Sequence, residues 1–163
     1  MGPKDVIRGL ISSNDIVLNT YLGDLSDADL VARPVPGANH IAWQLGHLIN
    51  SEQNLLKMIS GCSGIELPAG FAEQHSKEMA PKESTAGFRT KAEYQELYKK
   101  SRANALKNLD AFDAANLDKA TEGRMAQLCP TLGALWVLVA NHPMMHAGQF
   151  VVMRRKLGKP VTI

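Results

Sequence analysis

One stretch near the C-terminus combines helical apolar periodicity with two histidines four residues apart. It runs Asn141-His142-Pro143-Met144-Met145-His146-Ala147-Gly148-Gln149. Residues four apart on a helix lie on one face, one turn from each other. The positions in line with the two histidines are apolar, namely Leu135, Val139 and Met153. We therefore expect both imidazoles to face the protein interior, where they can reach a single metal ion.

Outward from this stretch, the same apolar spacing recurs along the chain. It predicts helices over residues 5–22, 39–60 and 131–157, and one more that begins near residue 91. Strand signals are weak throughout. Four amphipathic segments of these lengths predict an all-α fold, a four-helix bundle, in a single domain over residues 1–163.

The connection over residues 62–89 is unusually long. Pro68, Gly70, Pro81 and Gly87 break it, and a short helix is predicted over residues 71–79. Connections of this length are uncommon without a topological or functional reason. A crossover between two helices that run in the same direction would supply one.

Composition restricts the partners and the location that we expect. Lys and Arg total 18 and Asp and Glu total 16, and aromatic residues make up 6% of the chain. This balance predicts no nucleic-acid partner. The longest apolar run, residues 132–140, is too short to cross a bilayer, and the first residues lack an apolar signal core. We therefore expect no membrane association and a cytoplasmic location.

A third histidine, His47, lies in the second predicted helix. Three imidazoles from two helices of a bundle would leave metal coordination positions open for water or substrate. The alternative is structural, because two histidines at this spacing also occur simply as polar residues of a helix. On the core side of a helix, however, unpaired imidazoles would carry a desolvation cost.

Other polar residues in these segments have simpler explanations. Glu52 interrupts the apolar stripe of the second helix, and a supporting or ion-paired role is expected before a catalytic one, although it is the one carboxylate worth testing as a base. Gln149, one turn after His146, is expected to support it by hydrogen bonding. His40 and His75 are expected to be solvated.

Pro143 lies between the two histidines of the last helix. It has no N–H group, so the carbonyl of Val139 should lose its usual helical partner, and the helix is expected to kink or bulge there.

Two motifs make the chain resemble the DinB-like (YfiT-related) family of four-helix bundle proteins. They are Ile41-Ala42-Trp43-Gln44-Leu45-Gly46-His47-Leu48 and His142-Pro143-Met144-Met145-His146-Ala147-Gly148-Gln149. The resemblance covers nearly the whole chain. It implies an up-down-down-up topology with long crossover connections. It also implies a divalent metal, zinc or nickel, held by His47, His142 and His146.

The activities known in that family set the functional expectation. Members include metal-dependent hydrolases and transferases or isomerases that use a low-molecular-weight thiol, and some members form dimers. The resemblance therefore implies a metal-dependent thiol transferase or hydrolase that acts on a small-molecule substrate, with a thiol as a second cofactor and a homodimer as an assembly to test. The alternative is a non-catalytic, stress-associated helical bundle whose histidines are structural.

Overall fold

A computed structural model describes residues 1–161, and its framework is four long helices. The helices, in chain order, are α1 (Pro3–Leu22), α2 (Asp27–Val31), α3 (Ile41–Lys57), α4 (Phe71–Gln74), α5 (Lys91–Ala111) and α6 (Leu132–Lys156). Two 3₁₀ turns, Ala114–Asn116 and Gly123–Met125, lie between α5 and α6. The predicted all-α fold is confirmed. Residues 162 and 163 of the predicted domain lie outside the described residues.

Hydrogen bonds between side chains and neighbouring helices define the helix directions. Four pairs carry this information: Asn14–Ala140, Tyr21–Arg154, Gln53–Ser101 and Ser63–Asn108. The first two show that α1 runs parallel to α6. The last two show that α3 runs parallel to α5, because Ser63 lies beyond the C-terminal end of α3 and its partner lies further along α5 than Ser101 does. Two ion pairs, Arg8–Asp110 and Asp15–Arg102, show that α1 and α5 are antiparallel. The predicted up-down-down-up topology is confirmed, and the connection from α3 to α5 is the crossover.

The core consists of two apolar clusters with a layer of polar residues between them. Leu18, Leu45, Tyr98 and Phe150 belong to one cluster, and Ile11, Leu56, Ala105 and Trp136 belong to the other. Between its contributions to the two clusters, each long helix carries polar side chains. These form the polar layer: Asn14, Glu52, Arg102, His142 and His146. The layer brings titratable groups to the middle of the bundle, where burial changes their chemistry.

None of the helices within residues 1–161 combines the length and the apolar character that crossing a bilayer requires.

The crossover packs onto α3 at a position where only glycine can be accommodated. A Cβ atom at Gly46 would lie 2.0 to 2.2 Å from ring atoms of His75. His75 is only 1% exposed. Its Nδ1 donates to the carbonyl of Phe71 at 2.7 Å, and its Nε2 accepts from the hydroxyl of Tyr94 at 2.7 Å. The expectation of a solvated His75 is wrong, because the polar connection folds back over the bundle.

His40 is buried as well, so the expectation of a solvated side chain is wrong there too. It is 2% exposed and caps α3, with its Nδ1 accepting a hydrogen bond from the backbone N–H of Trp43 at 3.1 Å. Burial lowers the pKa of both His40 and His75 to about 4. Both rings are therefore neutral at pH 7, as their hydrogen bonds require.

The contact at position 46 gives a stability prediction. Gly46→Ala is expected to destabilise the protein by about 1–3 kcal/mol, because a methyl group there overpacks the His75 ring. Gly148→Ala is the matched control on α6, where a Cβ atom would meet nothing within 4 Å. The control is expected to raise stability by up to about 1 kcal/mol through helix propensity. Urea denaturation of both variants measures the difference, and equal stabilities would contradict the packing account.

Candidate metal centre

Three histidines from two helices converge at the polar layer. His47 comes from α3, and His142 and His146 come from α6. The ring centroids are 5.4 Å apart for His47 and His142, 5.4 Å for His47 and His146, and 4.9 Å for His142 and His146. One ring nitrogen from each lies within 4.8 Å of the other two. Two nitrogens bound to one tetrahedral zinc lie about 3.4 Å apart. Small side-chain rotations therefore bring all three within reach of one ion.

The three imidazoles are in the protonation state that a metal ligand requires. His146 is 7% exposed, and His47 and His142 are half-buried. Burial lowers the pKa of His142 to about 4 and that of His146 to about 3, and the neighbouring histidines contribute to both shifts. Burial also lowers the pKa of His47. At pH 7 all three rings are neutral, so no proton has to be displaced before a cation binds.

Gln44 determines which nitrogen of His146 is free. The Gln44 amide nitrogen donates to the carbonyl of Asn39 at 2.9 Å, so the amide oxygen faces His146. His146 Nδ1 lies 2.9 Å from that oxygen and must donate to it. The proton is thereby held on Nδ1, and Nε2 keeps its lone pair for a ligand, an arrangement common around metal-binding histidines.

The sequence prediction placed this supporting role on the wrong glutamine. Gln149 is exposed, and its side chain makes no hydrogen bond within residues 1–161. Gln44 is 2% exposed. One signal in the sequence could have indicated Gln44. It is a polar residue inside the apolar motif over residues 41–48, three residues before His47.

This arrangement gives a second prediction. Gln44→Ala is expected to weaken binding of a divalent cation about 10–100-fold, because His146 loses the partner that fixes its tautomer and ring orientation. Gln149→Ala is the matched control and should bind as the natural chain does. Competition against a chromophoric chelator measures both affinities. Equal loss in both variants, or none in either, would show that Gln44 does not support the site.

His47 is held by an aromatic contact on its own helix. Its ring stacks on Trp43 with centroids 4.9 Å apart and planes 10° from parallel. The Trp43 indole N–H donates to the carbonyl of Ser76 at 2.9 Å, which ties this stack to the crossover. Ser51 Oγ lies 3.4 Å from His47 Nε2. The packing that Trp43 provides orients one of the three histidines.

The helix that carries the other two histidines continues through Pro143 without ending. The carbonyl of Val139, which Pro143 leaves without a helical donor, accepts a hydrogen bond from Arg102 Nη1 at 3.0 Å. The neighbouring carbonyl of Ala140 accepts one from Asn14 Nδ2 at 2.9 Å. Polar side chains from α5 and α1 thus satisfy the backbone of α6 one turn before the histidines.

Glu52 lies in the same polar layer and forms an ion pair with Arg102. Its other carboxylate oxygen accepts from the hydroxyl of Ser101. Arg102 Nε also donates to Asp15 at 2.9 Å, and the Tyr98 hydroxyl donates to Asp15 at 2.7 Å. Of the roles expected for Glu52, the ion-paired one matches this placement.

An open cleft of about 480 Å³ leads to the histidines. His47 and His142 form part of its wall, together with Ser51, Asn54, Leu55, Met58, Lys77, Arg124, Met125, Leu128, Leu138 and Met145. A larger groove of about 670 Å³ lies between residues 65–69 and α5, and its lining has no histidine or cysteine. The smaller cleft is therefore the one that contacts the candidate metal ligands.

Comparisons with known proteins agree with this fold. A family model described as the DinB superfamily matches residues 17–150. The crystal structure of a conserved protein from Enterococcus faecalis is similar with a TM-score of 0.77 and 18% sequence identity, over 98% of this chain and 99% of that chain. That likeness concerns the fold alone. No curated protein matches the sequence. Because the family match spans most of the chain and includes both histidine motifs, the chain belongs to the DinB superfamily.

Proposed function

We propose that this protein is a metal-dependent enzyme that transfers a low-molecular-weight thiol to a small electrophilic substrate. In this proposal His47, His142 and His146 hold one divalent cation, zinc or nickel, both of which accept imidazole ligands. The observation that carries it is the donor set: three converging, neutral imidazoles, two of which, His47 and His142, line an open cleft.

The side chains around the three histidines have separate tasks in this proposal. Gln44 keeps the His146 proton on Nδ1, and Trp43 holds the His47 ring in place. The methionines and leucines of the cleft exclude water from a bound substrate. A divalent cation held here supplies Lewis-acid chemistry, since it lowers the pKa of a thiol or water that it coordinates.

Thiol transfer is favoured over hydrolysis by the composition of the cleft. Within residues 1–161, its lining contains no carboxylate. Hydrolytic sites usually place a general base beside the attacking water. A thiol is already more acidic than water and needs less help to form its anion. Glu52, the one carboxylate proposed from the sequence, is engaged by Arg102 and Ser101 and is assigned a structural role.

An assay with zinc-loaded and nickel-loaded protein tests this function. The assay mixes a thiol with an electrophile, either an aromatic halide or maleate, and measures the consumption of both. A mixture with metal but without protein is the blank. We expect turnover in the metal-loaded natural chain and in Gln149→Ala, and none in His142→Ala. Ester cleavage without a thiol would instead support the hydrolase alternative. No turnover, together with a melting midpoint unchanged by chelator, would support the non-catalytic bundle.

A further inference from the structure

Two cationic side chains enter the cleft from different connections. Lys77 belongs to the crossover between α3 and α5, and Arg124 belongs to the 3₁₀ turn Gly123–Met125 before α6. Both line the cleft that contains His47 and His142. No aspartate or glutamate lines it, so the formal charge of its wall is positive even before any cation is bound.

Neither cation has a carboxylate at ion-pair distance within residues 1–161, although the charge of Lys77 adds to the hydrogen bonds that lower the pKa of its exposed neighbour Glu78. Within residues 1–161, Lys77 and Arg124 form no ion pair and donate no hydrogen bond. Some other cationic side chains of the connections and helix ends are paired, for example Arg33 with Glu83 and Arg154 with Asp24. Two unpaired cations at one cleft attract an anion, because like charges held together without a partner raise the local potential.

The rest of the lining describes the other part of the ligand. Ser51 and Asn54 offer hydrogen bonds on the α3 side, and six apolar side chains, three methionines and three leucines, form most of the wall. A cleft of about 480 Å³ is within the range that small organic ligands occupy. A small molecule with an anionic group on a short carbon skeleton fits this cleft, because the anion matches the two cations and the carbon skeleton matches the apolar wall.

The geometry points to a carboxylate-binding subsite formed by Lys77 and Arg124, which selects thiols that carry carboxylate groups and turns their sulfur toward the three histidines. This inference rests on the proposed function for the position of the sulfur. The charge selection itself belongs to the two side chains, which are not metal ligands.

Thiol binding to cobalt-substituted protein tests the inference without any turnover. The probes are mercaptosuccinate, mercaptopropionate, mercaptoethanol and cysteamine, which carry two, one and no carboxylates and a cation respectively. Sulfur-to-cobalt absorption gives each dissociation constant. We expect affinity to fall in that order. Each exposed cation is expected to contribute about a 2- to 5-fold difference.

The charge-reversed variant Lys77→Glu/Arg124→Glu is expected to lose mercaptosuccinate affinity by about tenfold or more and to bind mercaptoethanol nearly as before. Lys99→Glu/Lys107→Glu on α5 makes the same change in net charge on exposed residues outside the cleft and should keep the original order. Elemental analysis should give equal metal content in both variants.

The outcomes separate the two proposals. The carboxylate subsite is overturned if the natural chain binds metal but shows no preference among the four thiols. It is also overturned if the charge-reversed variant keeps the preference. Both results leave the metal centre intact. A chain that binds no cobalt overturns the proposed function. For that case, mercaptosuccinate binding to the metal-free protein is measured by calorimetry. Loss of mercaptosuccinate binding in Lys77→Glu/Arg124→Glu, but not in Lys99→Glu/Lys107→Glu, supports the subsite. Equal mercaptosuccinate binding by these two variants overturns it.

Discussion

His142→Ala is expected to lower the affinity for a divalent cation by more than about a hundredfold. Loss of an outer hydrogen-bond partner of a ligand costs 10–100-fold, and loss of the ligand itself removes a coordinate bond as well. His142 suits this test because its side chain is half-buried and has no hydrogen-bond partner within residues 1–161. Its removal therefore leaves no buried polar group unsatisfied. Competition with a chromophoric chelator measures the loss.

Met144→Ala provides the matched control, on the same helix and 38% exposed. It should retain metal affinity within about twofold, as expected for a surface substitution away from the site. The melting midpoint should rise with added zinc in the control and stay unchanged in His142→Ala, because only a ligand that binds the folded state stabilises it. Equal zinc affinity in the two variants would contradict the assignment of His142.

Arg102→Met is expected to destabilise the protein by about 3–5 kcal/mol, the usual cost of breaking a buried ion pair. Arg102 is 3% exposed. Its removal leaves one oxygen of the Glu52 carboxylate and the carbonyl of Val139 without their side-chain donor, and it takes one of two donors from Asp15. For a chain of this length the melting midpoint should fall by about 6–20 °C. Thermal unfolding followed by circular dichroism measures the shift.

The control for this prediction is Arg8→Met. Arg8 pairs with Asp110 on the surface, where the two side chains are 43% and 56% exposed. Exposed ion pairs contribute about 0–1 kcal/mol, so this variant should melt close to the natural chain. If Arg102→Met proves as mild as Arg8→Met, the polar layer contributes little to stability and the structural role of Glu52 loses its basis.

The elements of this fold were predictable where local signals determine them. The predicted helix start near residue 91 agrees with the structure, where Thr90 and Glu93 form both hydrogen bonds of a capping box. The helix predicted over residues 131–157 is followed by Gly158, which has the positive φ that favours glycine. The chemistry of Pro143 likewise predicted an orphaned carbonyl at Val139. Each of these inferences needs only residues within one or two helical turns.

What the sequence could not supply was the partner of each buried polar group. Glu52 and Arg102 are separated by fifty residues, and no spacing rule relates positions on α3 to positions on α5. The same holds for Gln44 and His146. His75 was expected to be solvated because its segment is polar. Its burial depends instead on Gly46, which has no side chain and so leaves room for the His75 ring. These pairings follow from the packing of whole helices, which a pattern along one chain does not encode.

Anomalous diffraction from crystals of zinc-supplemented protein, recorded on both sides of the zinc absorption edge, tests the central claim most directly. We expect one strong peak between the rings of His47, His142 and His146, at about 2 Å from one nitrogen of each. A map with no peak there, or with zinc bound only elsewhere on the chain, would contradict it.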